Sequence, residues 1–117
     1  MKLQKTVLVL SAVWFANTAL AADLAAGKKL ADAQCAACHA KATGSEKDWT
    51  KPLDASYPIL AGQREDYLVH TLKAYQNGGR KNAIMGGENG QAAKLSKLDI
   101  QNLSAYFASL KGPLSYK

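Results

Sequence analysis

The stretch Cys35-Ala36-Ala37-Cys38-His39 decides the fold of this 117-residue chain. Its two thiols lie three positions apart, on nearly the same side of one helical turn, and an imidazole follows directly. The chain has no other cysteine. C-x-x-C-H spacing is typical of covalent haem attachment, in which each thiol bonds one vinyl group of a single porphyrin. The pattern therefore predicts that Cys35 and Cys38 hold a haem and that His39 ligates its iron.

A candidate for the opposite iron ligand is Met85, which is the only methionine besides the initiator. It lies in the glycine-rich segment Arg80–Gly87, whereas a methionine that fills a core more typically lies on a helical stripe. Thioether sulfur is a soft ligand that suits low-spin iron, and a His/Met pair favours electron transfer. We therefore predict that His39 and Met85 are the axial ligands.

The first residues have the layout of a secretory signal. Two lysines precede an apolar run from Val7 to Ala16, and Ala19-Leu20-Ala21 is typical of a cleavage site. The run is short for a membrane span, which needs about 20 apolar residues. We expect a cleaved signal peptide over residues 1–21, one domain over residues 22–117, location in the periplasm and no stable membrane insertion.

The charge of the chain is mildly basic. The formal charge of +6 falls to +4 when the signal, which has two lysines and no acidic residue, is removed. No cluster of basic residues with interleaved aromatics is present, so nucleic acid is not expected as a partner. A mild positive charge favours partners with acidic docking surfaces. The candidate steering residues are Lys41, Lys47, Lys51, Lys81, Lys94 and Lys97.

Three helices are predicted after the signal, from apolar residues at helical spacing between capping residues and glycines. Gly27 is unusual inside a helix and indicates that another element crosses closely there. No convincing alternating pattern of a β-strand is present. The predicted spans are a first helix capped by Asp23 that runs to about Ala37, a second from Arg64 to about Gln76, and a third from the capping box Ser96-Lys97-Leu98-Asp99 to Gly112-Pro113, with an apolar stripe of Leu98, Ile100, Leu103, Phe107 and Leu110.

Residues 40–63 have no sustained period and contain several glycines and prolines, which predicts a long loop. Long loops inside small domains usually have a function, and here that function is to wrap a cofactor edge. The apolar residues of the loop either line this edge or form a small core of their own. They are Trp49, Leu53, Tyr57, Ile59 and Leu60.

Two other chemistries use the same cysteines. A zinc site needs Cys35, Cys38, His39 and His70, but neighbours as close as Cys38 and His39 rarely both reach one tetrahedral ion. A thiol oxidoreductase places its cysteine pair at the start of a helix that follows a strand. Here the pair closes a predicted helix, so both alternatives are weaker than haem attachment.

The chain resembles bacterial class I cytochromes c of the small soluble monohaem type, and likewise the half-domains of dihaem cytochromes c. The resemblance runs nearly end to end after the signal. It implies an all-α fold with three main helices and loops wrapped around one covalently bound haem c. The matching stretches are Gly27, Cys35–His39, Tyr57–Gln63, Tyr67-Leu68, Leu72–Arg80, Ile84-Met85, and Leu95-Ser96 running into Tyr106-Phe107.

The resemblance also implies roles for particular residues. The first and last helices should cross near Gly27 and either Tyr106 or Phe107. The Pro58 carbonyl should hold the His39 ring through its second nitrogen, in line with the usual orientation of a ligating histidine. Arg80 should reach a haem propionate.

The implied function is a one-electron carrier between redox proteins, with no catalytic residue. One alternative is the haem-bearing, electron-accepting subunit of a larger dehydrogenase, for example of a sulfur compound. Another is a gas-binding haem protein in which Met85 is displaced from the iron. Residues 40–57 depart from the family, because they are longer and more charged than the short link expected after the histidine.

Overall fold

The structure is a computed structural model, and it describes residues 11–13 and 21–115. Most of the predicted signal peptide lies outside the described residues. The fold is mainly helical, with three long helices, as predicted. In chain order the elements are α1 (Leu24–Gln34), α2 (Ala36–His39), β1 (Lys41–Thr43), β2 (Glu46–Asp48), α3 (Glu65–Asn77), a 3₁₀ turn (Gln91–Lys94) and α4 (Lys97–Ser109).

Helix α1 is shorter than the sequence predicts. Asp23 caps its start, because the Asp23 carboxylate accepts a hydrogen bond from the Ala26 amide at 3.0 Å. The helix ends at Gln34, and Cys35 then departs from regular helix geometry with φ −107° and ψ −30°. The expected single helix to about Ala37 is therefore wrong, since the chain breaks at Cys35 and resumes as the short α2.

Helices α1 and α4 cross at Gly27, which is buried. A Cβ at this position would lie 2.8 Å from the Asn102 carbonyl carbon and 2.8 Å from the Tyr106 Cβ. The Asn102 side chain also accepts a hydrogen bond from the Asp23 amide at 2.9 Å. The expected close crossing is confirmed, and Tyr106 is the aromatic residue at the contact.

Helix α4 begins with the predicted capping box. The Ser96 hydroxyl accepts from the Asp99 amide at 3.0 Å, and the Asp99 carboxylate accepts from the Ser96 amide at 2.9 Å. The expectation that Leu98 lies on the apolar stripe is wrong, because this side chain is 53% exposed. A helix turns about 100° per residue, so Leu98 faces the opposite side of α4 from Ile100, which follows it by two positions. The buried hydrophobic face of α4 comprises Ile100, Leu103, Tyr106 and Phe107.

Helix α3 has acidic residues in its first turn, Glu65 and Asp66, which suit the positive end of the helix dipole. It ends at Gly78, whose φ of 80° is left-handed and therefore favours glycine. The predicted glycine stop is confirmed at this residue. Leu68 is the buried residue of α3, and it anchors the helix to the core next to α4.

The structure adds a short antiparallel hairpin of β1 and β2 to the predicted all-α fold, in which Lys41 pairs with Asp48. Each strand has only three residues, and those of β1 are all exposed, so no alternating pattern marks them. Gly44 turns the hairpin with φ +63°. The signal for it was the Gly44-Ser45 dipeptide, which is typical of a two-residue hairpin loop.

Trp49 follows the hairpin and is only 4% exposed. Its ring lies edge-on to Phe107 at 4.9 Å and to Tyr106 at 6.4 Å between centroids. Of the two readings of the loop's apolar residues, Trp49 therefore fits a core role and not a cofactor edge. The segment also returns to the haem motif, since the Leu53 amide donates to the Cys38 carbonyl at 3.0 Å.

Candidate functional site

The turn formed by Cys35 and α2 brings two thiols and one imidazole together. The Cys38 and His39 amides both donate to the Cys35 carbonyl, at 3.3 and 3.0 Å, so one turn carries all three side chains. Neither cysteine is in a disulfide, and both are half-buried. Burial, with a smaller effect of Cys38, raises the pKa of the Cys35 thiol to about 11. Cys35 is therefore unlike the thiolates of disulfide exchange, which have a lowered pKa.

His39 is buried, with 8% of its surface exposed. Its Nδ1 lies 2.9 Å from the Pro58 carbonyl oxygen. A carbonyl only accepts, so Nδ1 carries the proton and Nε2 is left as the nitrogen with a free lone pair. This is the arrangement of a metal-ligating histidine whose ring is held by a backbone carbonyl. The centroid of the Tyr57 ring lies 6.1 Å from that of the imidazole, and the two rings are tilted by 55°.

Met85 is half-buried and lies in the segment between α3 and the 3₁₀ turn. Its amide donates a hydrogen bond to the side-chain oxygen of the nearby Asn82 at 2.9 Å. The position is consistent with the glycine-rich loop predicted from the sequence. The structure thus places Met85 on a loop rather than on a helical stripe of the core.

Arg80 is exposed and contacts two tyrosines of α3. Its guanidinium donates to the Tyr67 hydroxyl at 3.1 Å and lies over the Tyr75 ring, 5.3 Å from the centroid. The hydrogen bond from Arg80 lowers the pKa of the Tyr67 hydroxyl. The sequence did not predict these contacts of Arg80 with Tyr67 and Tyr75, because its pattern indicates the two tyrosines only as apolar positions of a helix. The reach of Arg80 toward a propionate stays a prediction.

The described residues fit a haem in two respects. The donor set of two thiols, an imidazole and a thioether is the one that a covalently bound, low-spin haem uses. In addition, several large apolar side chains remain uncovered, as expected where the chain packs against a flat apolar group. The exposed ones are Leu53, Tyr67 and Ile84, and the half-buried ones at the edge of the core are Leu30, Ile59, Leu60 and Leu72.

The zinc alternative is not supported by the arrangement of residues. His70 is exposed on α3. In residues 11–13 and 21–115, no group of three or more His, Cys, Asp or Glu side chains is placed to hold a metal ion. The four residues that the zinc hypothesis requires are therefore not assembled in this part of the chain.

Comparison with known proteins identifies the family. The family profile for cytochrome c matches residues 24–111, which include the cysteines, His39 and Met85. The chain belongs to the cytochrome c family. It is therefore an electron-transfer protein with covalently bound haem c, and redox proteins are its partners. Among the described residues of this cytochrome, no helix has the length and apolarity required to cross a membrane.

Individual relatives place the cytochrome among bacterial class I cytochromes c. It is 37% identical over 102 residues to cytochrome c-554(547) of Halothiobacillus neapolitanus, which covers 78% of this chain and 100% of the relative. It is 38% identical over 80 residues to the thiosulfate dehydrogenase electron acceptor of Thiomonas intermedia, covering 68% of this chain and 32% of that protein.

Cytochrome c4 of Pseudomonas aeruginosa is 37% identical over 91 residues, which cover 78% of this chain and 40% of cytochrome c4. The chain thus matches the whole of the first relative and less than half of the other two. This agrees with the resemblance to one half-domain of a longer cytochrome that the sequence indicates.

Proposed function

We propose that this cytochrome is a monohaem carrier in which Cys35 and Cys38 form the thioether bonds and His39 and Met85 are the axial ligands. The observation that carries the proposal is the hydrogen bond between His39 Nδ1 and the Pro58 carbonyl, at 2.9 Å. It leaves Nε2 of a buried imidazole as the metal-binding nitrogen, beside two unpaired thiols. Haem c supplies a one-electron ferric/ferrous couple, and the residues of the chain bind it and set its ligands.

We also propose that the chain acts in the periplasm, after cleavage of residues 1–21 and release of a domain over residues 22–117. Support comes from the lysines, apolar run and Ala19-Leu20-Ala21 site of the sequence. Mass spectrometry of the protein from a periplasmic extract tests this. A haem-bearing chain that starts at Ala22 is expected, and a chain that keeps Met1 or Lys2 would contradict the proposal.

Acidic docking surfaces on the partners are a further part of this proposal. Lys41 lies two residues after His39, and Lys81 lies four residues before Met85, so both charges lie in the segments that carry the proposed ligands. Lys51 contributes less, because it is paired with Asp48 at 3.0 Å. Electrostatic steering by Lys41 and Lys81 speeds the approach of anionic partners and weakens with salt.

Ferricyanide is a suitable anionic probe of this steering. The rate of oxidation of the ferrous cytochrome should fall as ionic strength rises, and Lys81→Gln should lower it at low salt. Lys111→Gln removes the same charge after the end of α4 and serves as the control. Equal rates for the two variants, or a rate that does not change with salt, would remove the steering role of Lys81.

Visible spectroscopy of the holoprotein tests the ligand set. Pyridine haemochrome analysis should give the spectrum of a haem joined by two thioether bonds. The ferric protein should show the weak long-wavelength sulfur-to-iron band, and Met85→Ala should abolish it. Persistence of the band in Met85→Ala would refute the assignment of Met85. Carbon monoxide binding by the reduced wild-type protein at neutral pH would instead favour the gas-binding alternative.

A second candidate function is the electron-accepting subunit of a larger dehydrogenase. The relative from Thiomonas intermedia, by its name, accepts electrons from thiosulfate dehydrogenase and favours this candidate. Affinity purification from the native cells at low salt distinguishes the two. A second polypeptide in a constant ratio to the cytochrome favours the subunit, and a cytochrome that elutes alone at the mass of one chain favours the free carrier.

A further inference from the structure

The segment around Met85 contains one helical turn, and Asn82 caps it. The Asn82 side-chain oxygen accepts hydrogen bonds from the Ile84 and Met85 amides, both at 2.9 Å. The Asn82 carbonyl accepts from the Gly86 amide at 3.0 Å. A helix N-cap bonds the second and third amides after it in this way. Asn82 therefore holds the backbone of Met85 by a local contact, from within the same loop.

The carbonyls of this turn are also paired. The Ile84 carbonyl accepts from the Gln91 amide at 2.9 Å, and the Met85 carbonyl accepts from the Ala92 amide at 3.1 Å. Gly90 permits this approach, since a Cβ at that position would lie 2.7 Å from the Met85 carbonyl oxygen. Both the amide and the carbonyl of Met85 thus have partners, which restricts the backbone from which its side chain extends.

Helix α3 braces the far end of the same segment. The Gln76 side-chain amide donates to the Ala92 and Leu95 carbonyls, both at 2.8 Å. These carbonyls belong to the 3₁₀ turn and to the residue that follows it. Because Ala92 is also the partner of Met85, Gln76 connects the Met85 turn to α3. The segment is held at both ends, by Asn82 inside the loop and by Gln76 outside it.

We propose that Asn82 is a positioning residue for the Met85 thioether. The inference rests on the proposed role of Met85 as an axial ligand. A ligand on a fixed backbone loses less conformational entropy when it binds than one on a mobile loop, so it competes better with external ligands. The Asn82 side chain is uncharged and exposed, and it acts on the turn through its hydrogen bonds to the Ile84 and Met85 amides. Its removal should weaken ligation by Met85 while the core stays intact.

Competition with added imidazole measures this effect in the ferric holoprotein. Asn82→Ala removes both hydrogen bonds and should bind imidazole roughly tenfold more tightly than the wild type, which corresponds to about 1.4 kcal/mol. Its long-wavelength sulfur-to-iron band should be weaker and should disappear at a lower temperature. Asn82→Asp keeps an acceptor oxygen in the same place and should restore both properties to near the wild-type values.

Asn89→Ala is the matched control. Asn89 lies in the same loop and is exposed, and its side chain makes no hydrogen bond among the described residues. We expect the wild-type imidazole affinity and band for this variant. Urea unfolding of each holoprotein shows whether the core is intact at the temperature of the titration.

The possible outcomes separate the two proposals. If Asn82→Ala binds imidazole as weakly as Asn89→Ala does, the positioning role of Asn82 is wrong. If Asn82→Asp behaves like Asn82→Ala, the acceptor oxygen is not the cause, and the role is likewise wrong. Met85→Ala tests the ligand itself: loss of the sulfur-to-iron band in that variant keeps the proposed ligand set even if the Asn82 role fails, and persistence of the band overturns both.

Discussion

Gly27 of α1 lies directly against Tyr106 of α4, so closely that a Cβ on the glycine would be 2.8 Å from the Tyr106 Cβ. The backbone carbonyl of Asn102 blocks the same space. Because one neighbour is backbone, the contact cannot be relieved by a side-chain rotation alone. The glycine therefore sets the distance between the first and last helices, which together frame the core around the haem motif.

Gly27→Ala should destabilise the cytochrome. Overpacking costs about 1–3 kcal/mol, and the contact with the Asn102 backbone puts Gly27→Ala in the upper part of this range, above the ~1 kcal/mol at most that the better helix propensity of alanine offsets. Urea unfolding of the holoprotein measures the net loss. The exposed position Ala25, also on α1, provides the control, since Ala25→Gly should cost no more than about 1 kcal/mol. A Gly27→Ala protein as stable as the wild type would contradict the close crossing.

Trp49→Ala should be among the most destabilising single changes outside the haem motif. It removes a ring that packs against Phe107 at 4.9 Å, and large-to-small changes of this kind cost about 3–5 kcal/mol. Leu98→Ala on α4 is the comparison, because Leu98 is 53% exposed and its removal should cost less than about 1 kcal/mol. Similar losses for the two variants, measured by urea unfolding, would show that Trp49 is not a core residue.

The sequence predicts those parts of the fold that depend on residues close together along the chain. The Ser96 and Asp99 capping box and the Gly78 stop each depend on contacts within a few positions, so their sequence patterns are sufficient. The crossing at Gly27 was also predictable. A glycine inside a helix lowers the stability of the helix, so its presence indicates that another element packs closely there. These features predict where the three helices lie in the sequence, and the C-x-x-C-H motif predicts the haem around which they pack.

Other features depend on contacts between distant parts of the chain. Gln76 binds carbonyls 16 and 19 residues away, and nothing in the α3 pattern marks it. The edge-on contact of Trp49 with Phe107 makes this part of the loop core, and it joins residues far apart in the sequence. By contrast, the Asn82 cap is local, because the asparagine lies three residues before Met85, and it is therefore predictable from the sequence.

The hairpin gives a prediction for acid conditions. Hydrogen bonds from the Thr50 side chain, and then from Lys51, lower the pKa of Asp48 to about 2 from its ordinary 3.8. A carboxylate with a lowered folded-state pKa contributes stability above pH 3.8, and this contribution is lost as the pH falls through about 2. Asp48→Asn should therefore lower the thermal midpoint at pH 6, and the difference from the wild type should shrink toward pH 2.

Glu88→Gln is the control for this experiment. Glu88 is an exposed carboxylate with no ion pair in the described part of the chain, so its replacement should leave the pH profile of the thermal midpoint unchanged. A difference between Asp48→Asn and the wild type that stays constant from pH 6 to pH 2 would show that the Asp48 charge is not its source.

Arg80 is expected to tune the reduction potential. Its guanidinium is held by Tyr67 at 3.1 Å and by the Tyr75 ring, in the segment that leads to Met85. The sequence predicts that Arg80 reaches a haem propionate, and a positive charge held there favours the reduced state, so Arg80→Gln should lower the midpoint potential. An exposed charge interaction is worth about 0.2–1 kcal/mol, which for one electron corresponds to roughly 10–40 mV.

Two further variants separate the charge of Arg80 from its position. Lys73→Gln removes an exposed charge on α3 and should shift the potential by less than Arg80→Gln does. Tyr67→Phe keeps the arginine charge but removes the hydrogen bond that holds it, so its shift should be smaller than that of Arg80→Gln and in the same direction. Redox titration of the three holoproteins at constant ionic strength gives these values. Equal shifts for Lys73→Gln and Arg80→Gln would mean that Arg80 acts only as one more surface charge, and would contradict its predicted reach toward a haem propionate.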